Sequence, residues 1–103
     1  MSSEKTEIPN SLNEHWMPFS SNRDFKANPR LITEAKGVYL KNHQGQTQID
    51  ASSGLFCNPL GHGREEIISA VTNQLRKLDY AQPFQQGFGG SFELATKIAK
   101  HTP

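Results

Sequence analysis

A single cysteine, Cys57, in 103 residues leaves no partner for an internal disulfide. With no Cys-x-x-Cys pair and no His/Cys cluster, a structural zinc site is excluded as well. Long apolar runs are missing: nothing approaches the ~18 residues a membrane-spanning helix needs. The stretch Met1 to Ile8 is polar and lacks the apolar segment of a signal peptide. There is no excess of either charge, since eleven Lys and Arg face ten Asp and Glu for a net +1. The charges are scattered, with no basic stripe that would track a phosphate backbone. These absences set the expectations of a reducing, cytoplasmic setting and of neither nucleic acid nor membrane as partner. Apolar residues make up only 34% of a chain long enough for one small domain, so any core it closes alone is modest.

Several recognisable segments follow one another. Residues 1–14 form a polar, disordered lead-in without periodicity. His15-Trp16-Met17-Pro18-Phe19 places three large apolar side chains in five residues, and Pro18 keeps them out of a helix interior. From the residues alone, an arm packed on a core is favoured over one that lines a pocket. After Asn28-Pro29-Arg30, the extended run Leu31 to Leu40, broken at Gly37, leads to Val38-Tyr39-Leu40 and Thr47-Gln48-Ile49-Asp50. These β-prone runs flank an Asn- and Gly-bearing turn, which predicts a hairpin with a third short strand beside it. Ala51 to Gly63 has loop composition yet contains Leu55-Phe56-Cys57, whose side chains want burial. Ile67, Ile68, Val71, Leu75 and Leu78 share one face of a helix predicted over Arg64 to Leu78, with Glu65 and Glu66 at its start and Arg76 and Lys77 at its end. The loop Asp79 to Gly90 exposes Tyr80, Phe84 and Phe88. A last helix runs to Lys100 with Ser91 as its cap and Phe92, Ala95, Ile98 and Ala99 on its apolar side. The chain carries more apolar loop and helix surface than it can bury, and truncation after Thr102-Pro103 is the simplest explanation.

Catalytic groups are scarce. Cys57 and His62 are close in sequence, but Cys–His catalysis needs a third group to orient the histidine, and nothing in the sequence marks one. A small buried thiol at Cys57 and a turn or capping role for His62 are the expectations. Gly61-x-Gly63 lacks the third glycine of a dinucleotide fingerprint. Glu65 and Glu66 would repel a phosphate from the helix start that follows. No lysine stands in a recognisable catalytic setting. The residues alone describe a partial α/β structure with aromatic loops, no catalytic group and no metal ligand set.

Taken in order, Trp16-Met17-Pro18-Phe19, Ala35-Lys36-Gly37-Val38-Tyr39-Leu40, Gln44-Gly45, Ile49-Asp50, Ser53-Gly54-Leu55-Phe56-Cys57, Gly61-His62-Gly63-Arg64, Ser91-Phe92-Glu93-Leu94-Ala95 and Thr102-Pro103 resemble the start of a class III aminotransferase over residues 15 to 103. The Pro-Phe arm, the Gly-Leu-aromatic-Cys loop and the run Leu78-Asp79-Tyr80-Ala81-x-Pro83-Phe84-Gln85 narrow the likeness to the ω-amino acid (β-alanine):pyruvate type. The resemblance implies an N-terminal fragment of a fold-type-I α/β enzyme: a polar arm, a short β-meander, aromatic loops and two amphipathic helices. On that reading residues 15–63 are the arm and small-domain meander with a pocket loop, and residues 64–103 are the helical start of the large domain.

The resemblance further implies a homodimer or higher homo-oligomer that uses pyridoxal 5′-phosphate to move an amino group from an ω-amino acid or amine to a keto acid such as pyruvate. In the family the cofactor-bearing lysine, the acid at the pyridine nitrogen and the phosphate loop lie beyond the position of Pro103, so no residue here is catalytic or cofactor-binding. Phe19 and Phe56 match substrate-pocket positions, and Phe84 matches a wall residue contributed across the dimer. Phe56 stands where tryptophan is commonest in the subgroup, which changes the pocket wall. A self-standing binding or structural protein derived from such an N-terminus is the alternative, and another pyridoxal-phosphate chemistry such as a mutase or decarboxylase is less favoured.

Overall fold

A computed structural model describes residues 3–103, which divide into two compact units between Glu65 and Glu66. The first unit is built on a three-stranded antiparallel meander, β1 (Ile32–Lys36), β2 (Tyr39–Asn42) and β3 (Thr47–Ile49), in the order β1-β2-β3. Its two turns fall where the sequence places them. Gly37 separates β1 from β2, and the second turn is drawn tight by Asn42, whose side-chain oxygen accepts from the amides of Gln44 and Gln46 at 3.1 and 2.9 Å. The register slips between Ile32 and Glu34, a bulge that leaves Thr33 outside the regular pairing.

That slip puts Glu34 directly opposite Lys41, and the two side chains form an ion pair. Lys41 is the most deeply buried side chain among the described residues, so the centre of this sheet is polar rather than apolar. No described hydrophobic side chain is fully buried.

A six-residue helix, α1 (Asn22–Ala27), precedes the sheet. Ser21 donates to the Asp24 carboxylate at 2.7 Å, and the Asn22 side chain bonds both the amide and the carbonyl of Met17, at 2.7 and 2.9 Å. These bonds tie the Trp-Met-Pro-Phe arm to the helix through its backbone. Trp16 and Phe19 are exposed rather than packed on a core, contrary to the expectation from the residues alone. The polar lead-in runs beside the hairpin, where the Thr6 amide donates to the His43 carbonyl at 2.8 Å.

The second unit holds two helices, α2 (Glu65–Lys77), whose first residue belongs to the first unit, and α3 (Gly89–Ala99). α2 matches the predicted amphipathic helix to within a residue at each end, and its apolar face of Ile67, Ile68, Val71, Leu75 and Leu78 is exposed. α3 begins two residues before Ser91, which corrects the expected cap. Phe88 occupies the cap position with no side-chain bond, and the Ser91 hydroxyl donates to the Phe88 carbonyl at 2.6 Å. The Phe88 ring lies over Gly90, where a Cβ would stand 2.4 Å from a ring carbon. A glycine pair at a helix start is a poor helix former by propensity; here the second of the two, Gly90, makes room for that ring.

Candidate functional site

Among the described residues, the loop between β3 and α2 holds the longest run of left-handed backbone. Ser53, Gly54, Leu55 and Phe56 have φ of 50, 59, 58 and 68°, four consecutive residues in the left-handed region. The turn is closed by the Phe56 amide donating to the Ser52 carbonyl at 2.9 Å, and by Asn58 donating to the Ser53 carbonyl at 2.8 Å. Left-handed backbone costs a non-glycine residue about 1–2 kcal/mol, and three of the four carry a Cβ. Such a turn persists only if its surroundings over-determine it.

The over-determination comes from one carboxylate and one imidazole. Asp50, the residue after β3 and with its side chain only 7% exposed, accepts through Oδ2 from the Gly54 amide at 2.9 Å and meets His62 Nε2 at 3.0 Å. Its Oδ1 accepts from the Ser52 amide at 3.3 Å and the Ser52 hydroxyl at 3.1 Å. On the far side of the ring, Asn58 Nδ2 is 2.8 Å from His62 Nδ1. An amide nitrogen has only protons to offer, so Nδ1 is the acceptor, and the ring proton sits on Nε2 facing Asp50.

His62 is in turn fixed by its backbone, which exchanges two hydrogen bonds with Gly37 at 2.9 and 2.8 Å. Gly61 permits that approach: its φ is +86°, and a Cβ there would lie 3.1 Å from the Gly37 carbonyl oxygen. The loop is thus stapled at both ends to the β-meander.

The His62 bond, followed by the Gly54 amide, holds the Asp50 carboxyl below the ordinary carboxylate range. The folded state therefore binds a proton at Asp50 less readily than the unfolded chain. Its contribution to stability is complete above the ordinary carboxylate value and disappears as pH falls through the lowered one. Asp50→Asn in the intact protein is expected to lower the urea midpoint at about pH 7, with the gap from the parent narrowing toward about pH 3. A pH-independent gap would show that the charge on Asp50 plays no part in the staple.

This geometry changes two sequence expectations. A group that orients His62 does exist, and it is Asp50; the sequence hid it because the two are twelve positions apart and meet only through the sheet. Cys57 is exposed, not a buried thiol, and its Sγ is 3.6 Å from the Leu55 carbonyl. Both nitrogens of His62 are engaged elsewhere, so a Cys57–His62 pair is not formed. The signal that could have revealed the staple is Asp50-Ala-Ser-Ser-Gly, an acidic residue at a strand end followed by small residues, which favours side-chain-to-backbone turns.

The three aromatic residues expected to line a pocket share one feature: each lies at or next to a left-handed residue without being glycine. Phe19 has φ 51° and is fully exposed, Phe56 is 84% exposed, and Phe84, 77% exposed, precedes Gln85 with φ 59°. Phe19 and Phe56 belong to the first unit and Phe84 to the second. A separate cavity of about 230 Å³ in the second unit is lined by Gln74, Leu78, Asp79, Tyr80, Ala81 and Phe88.

Among the described residues no cluster of His, Cys, Asp or Glu could hold a metal. Pyridoxal phosphate fits no better, because it needs a sequestered lysine to carry it. Lys41, the buried lysine, is committed to Glu34. Glu65 and Glu66 stand at the start of α2, where a phosphate would have to approach.

No protein-family model matches the chain. Individual relatives do. It is 47% identical over 90% of its length to a β-alanine–pyruvate aminotransferase of Pseudomonas aeruginosa, and 47% identical over 89% to an ω-amino acid–pyruvate aminotransferase of Pseudomonas putida. The ω-transaminase of Pseudomonas jessenii, solved in complex with PMP, has the same fold over 95% of this chain and 22% of its own, with a TM-score of 0.83 at 26% identity. The chain spans about a fifth of the length of the curated relatives it matches. By sequence and fold it is similar to the aminotransferases, as a segment that matches their N-terminal region. Within them, the relatives at 47% identity are the β-alanine and ω-amino acid:pyruvate enzymes.

Proposed function

We propose that this segment forms part of the substrate-pocket wall of a class III, pyridoxal-phosphate-dependent transaminase that passes the amino group of an ω-amino acid or amine to pyruvate. The observation that carries the reading is 47% identity, sustained over nine-tenths of the chain, to two enzymes named for that donor and acceptor. The cofactor supplies the electron sink for the transfer; protein groups bind, orient and select. Those that hold the cofactor lie outside this segment, in an intact enzyme read as a cytoplasmic homodimer or higher homo-oligomer.

The part assigned to this segment is selection. Phe19, Phe56 and Phe84 are rigid apolar faces, suited to a pocket for an amine whose carbon skeleton has few polar handles. Their exposure here and the left-handed backbone at or beside each support a presenting role, because loop strain concentrates where a side chain must be aimed.

The test is direct. The intact protein, supplied with pyridoxal phosphate, is expected to form alanine from pyruvate in the presence of β-alanine, and to lose that activity when pyruvate is withheld. No alanine from any ω-amino acid or amine donor would refute the reading.

A further inference from the structure

We infer that Asp50 and His62 are positioning residues for substrate selection, acting through the left-handed turn that presents Phe56. The inference rests on the pocket-wall reading and goes beyond it, by assigning the placement of the ring to a polar network that touches no substrate.

The Phe56 ring is 84% exposed, so side-chain packing within this chain does little to fix it. What aims the ring is the backbone of residues 53–56, held in the left-handed region at all four positions. Two bonds close that turn from outside its own helical pattern, Gly54 amide to Asp50 and Ser52 amide to Asp50. His62 is the group that holds the same Oδ2 in place, with its own ring locked by Asn58 and its backbone clamped to Gly37. The path runs from the β-meander through His62 and Asp50 to the Gly54 amide, two residues before Phe56. A pocket wall displaced by about 1 Å can cost a hundredfold in rate for the substrate that needs it. The choice between a bulky and a small amine therefore depends on His62, although its ring is occupied by Asp50 and Asn58.

The experiment uses the intact enzyme as parent, His62→Ala, His62→Gln, Phe56→Ala and the His62→Ala/Phe56→Ala double variant. Two quantities are read: the ratio of kcat/KM for 1-phenylethylamine to that for β-alanine, and amide hydrogen exchange in a peptide covering residues 50–62. His62→Ala is expected to shift the ratio about tenfold and to speed exchange at the Gly54 and Phe56 amides. Gln can place an N–H near the position of Nε2, so His62→Gln restores most of both. In the Phe56→Ala background the His62 substitution has no further effect on the ratio, the non-additivity expected of residues that act in series.

Faster exchange with an unchanged ratio would make His62 a stabilising residue only and overturn the inference. An equal shift in both backgrounds would show that His62 acts by a route other than Phe56, and would overturn it too. A ratio unmoved by Phe56→Ala itself removes the pocket-wall reading and this inference with it, which separates the two failures. Should His62→Ala not fold, Asp50→Asn replaces it. The new amide group turns one acceptor oxygen into a donor facing an N–H, so the same shift in ratio is expected, and its absence in a folded Asp50→Asn enzyme overturns the inference.

Discussion

Replacing Phe56 by Ala in the intact enzyme is expected to leave the melting temperature nearly unchanged and to alter relative kcat/KM between an aryl-bearing amine and β-alanine by tens-fold. The two roles open to this ring predict different energetics. A Phe that fills a core costs about 3–5 kcal/mol when truncated to Ala, enough to lower the melting temperature by many degrees. A pocket wall instead discriminates substrates at about 1–3 kcal/mol per altered apolar contact, a factor of ten to two hundred in rate ratio. In this chain the ring is largely exposed and sits on a turn held by polar bonds, so its removal leaves no cavity within the segment. Alanine is the informative replacement because it keeps a Cβ, and with it the cost of the left-handed φ of 68°. Glycine would relax the turn and mix two effects. Loss of stability with an unchanged substrate ratio would return Phe56 to the core of the complete enzyme.

The second large effect concerns the 103-residue chain by itself. It is expected to show no transaminase turnover with β-alanine, pyruvate and pyridoxal phosphate, and no stoichiometric borohydride-trapped adduct on a single lysine. The buried lysine, Lys41, is paired with Glu34 and so is not free to carry the cofactor. The same chain is expected to self-associate and bind an apolar dye. Ile67, Val71 and Leu75 on α2, Phe92 and Ile98 on α3, and Tyr80 and Phe84 between the helices are all exposed, and large apolar side chains left open in that number seek a partner. Small domains bury too little surface to offset such exposure. A sharp cooperative melt of a monodisperse monomer without dye binding would contradict the second expectation, and measured turnover the first.

Where a local pattern carries the information, the sequence was enough. The apolar spacing of Ile67, Ile68, Val71, Leu75 and Leu78 defines α2 because 3.6-residue periodicity over thirteen residues is unambiguous. The hairpin was legible from β-prone runs around Asn42 and Gly45, whose turn chemistry is local too. The short helix α1 was not, since six residues give no period to read. The start of α3 was misplaced because Gly89 and Gly90 argue against a helix by propensity, and only the Phe88 ring over Gly90 explains the second of them.

The order of motifs from Trp16 to Pro103 was sufficient for the aminotransferase likeness, a matter of residue identity and spacing rather than of contacts. What only the tertiary structure decided is how the Phe56 loop is held. Asp50 and His62 are twelve positions apart, and they meet because Gly37 and His62 pair across the meander and bring the two ends of the loop together. Four successive left-handed residues, three of them with a Cβ, contradict local preference and could not be read from it. The turn's own bonds, to Ser52, Ser53 and Asp50, are local, but the bond from His62 that fixes Asp50 forms only once the sheet has brought them together, and such a long-range bond between polar groups leaves no periodic trace in the chain that makes it.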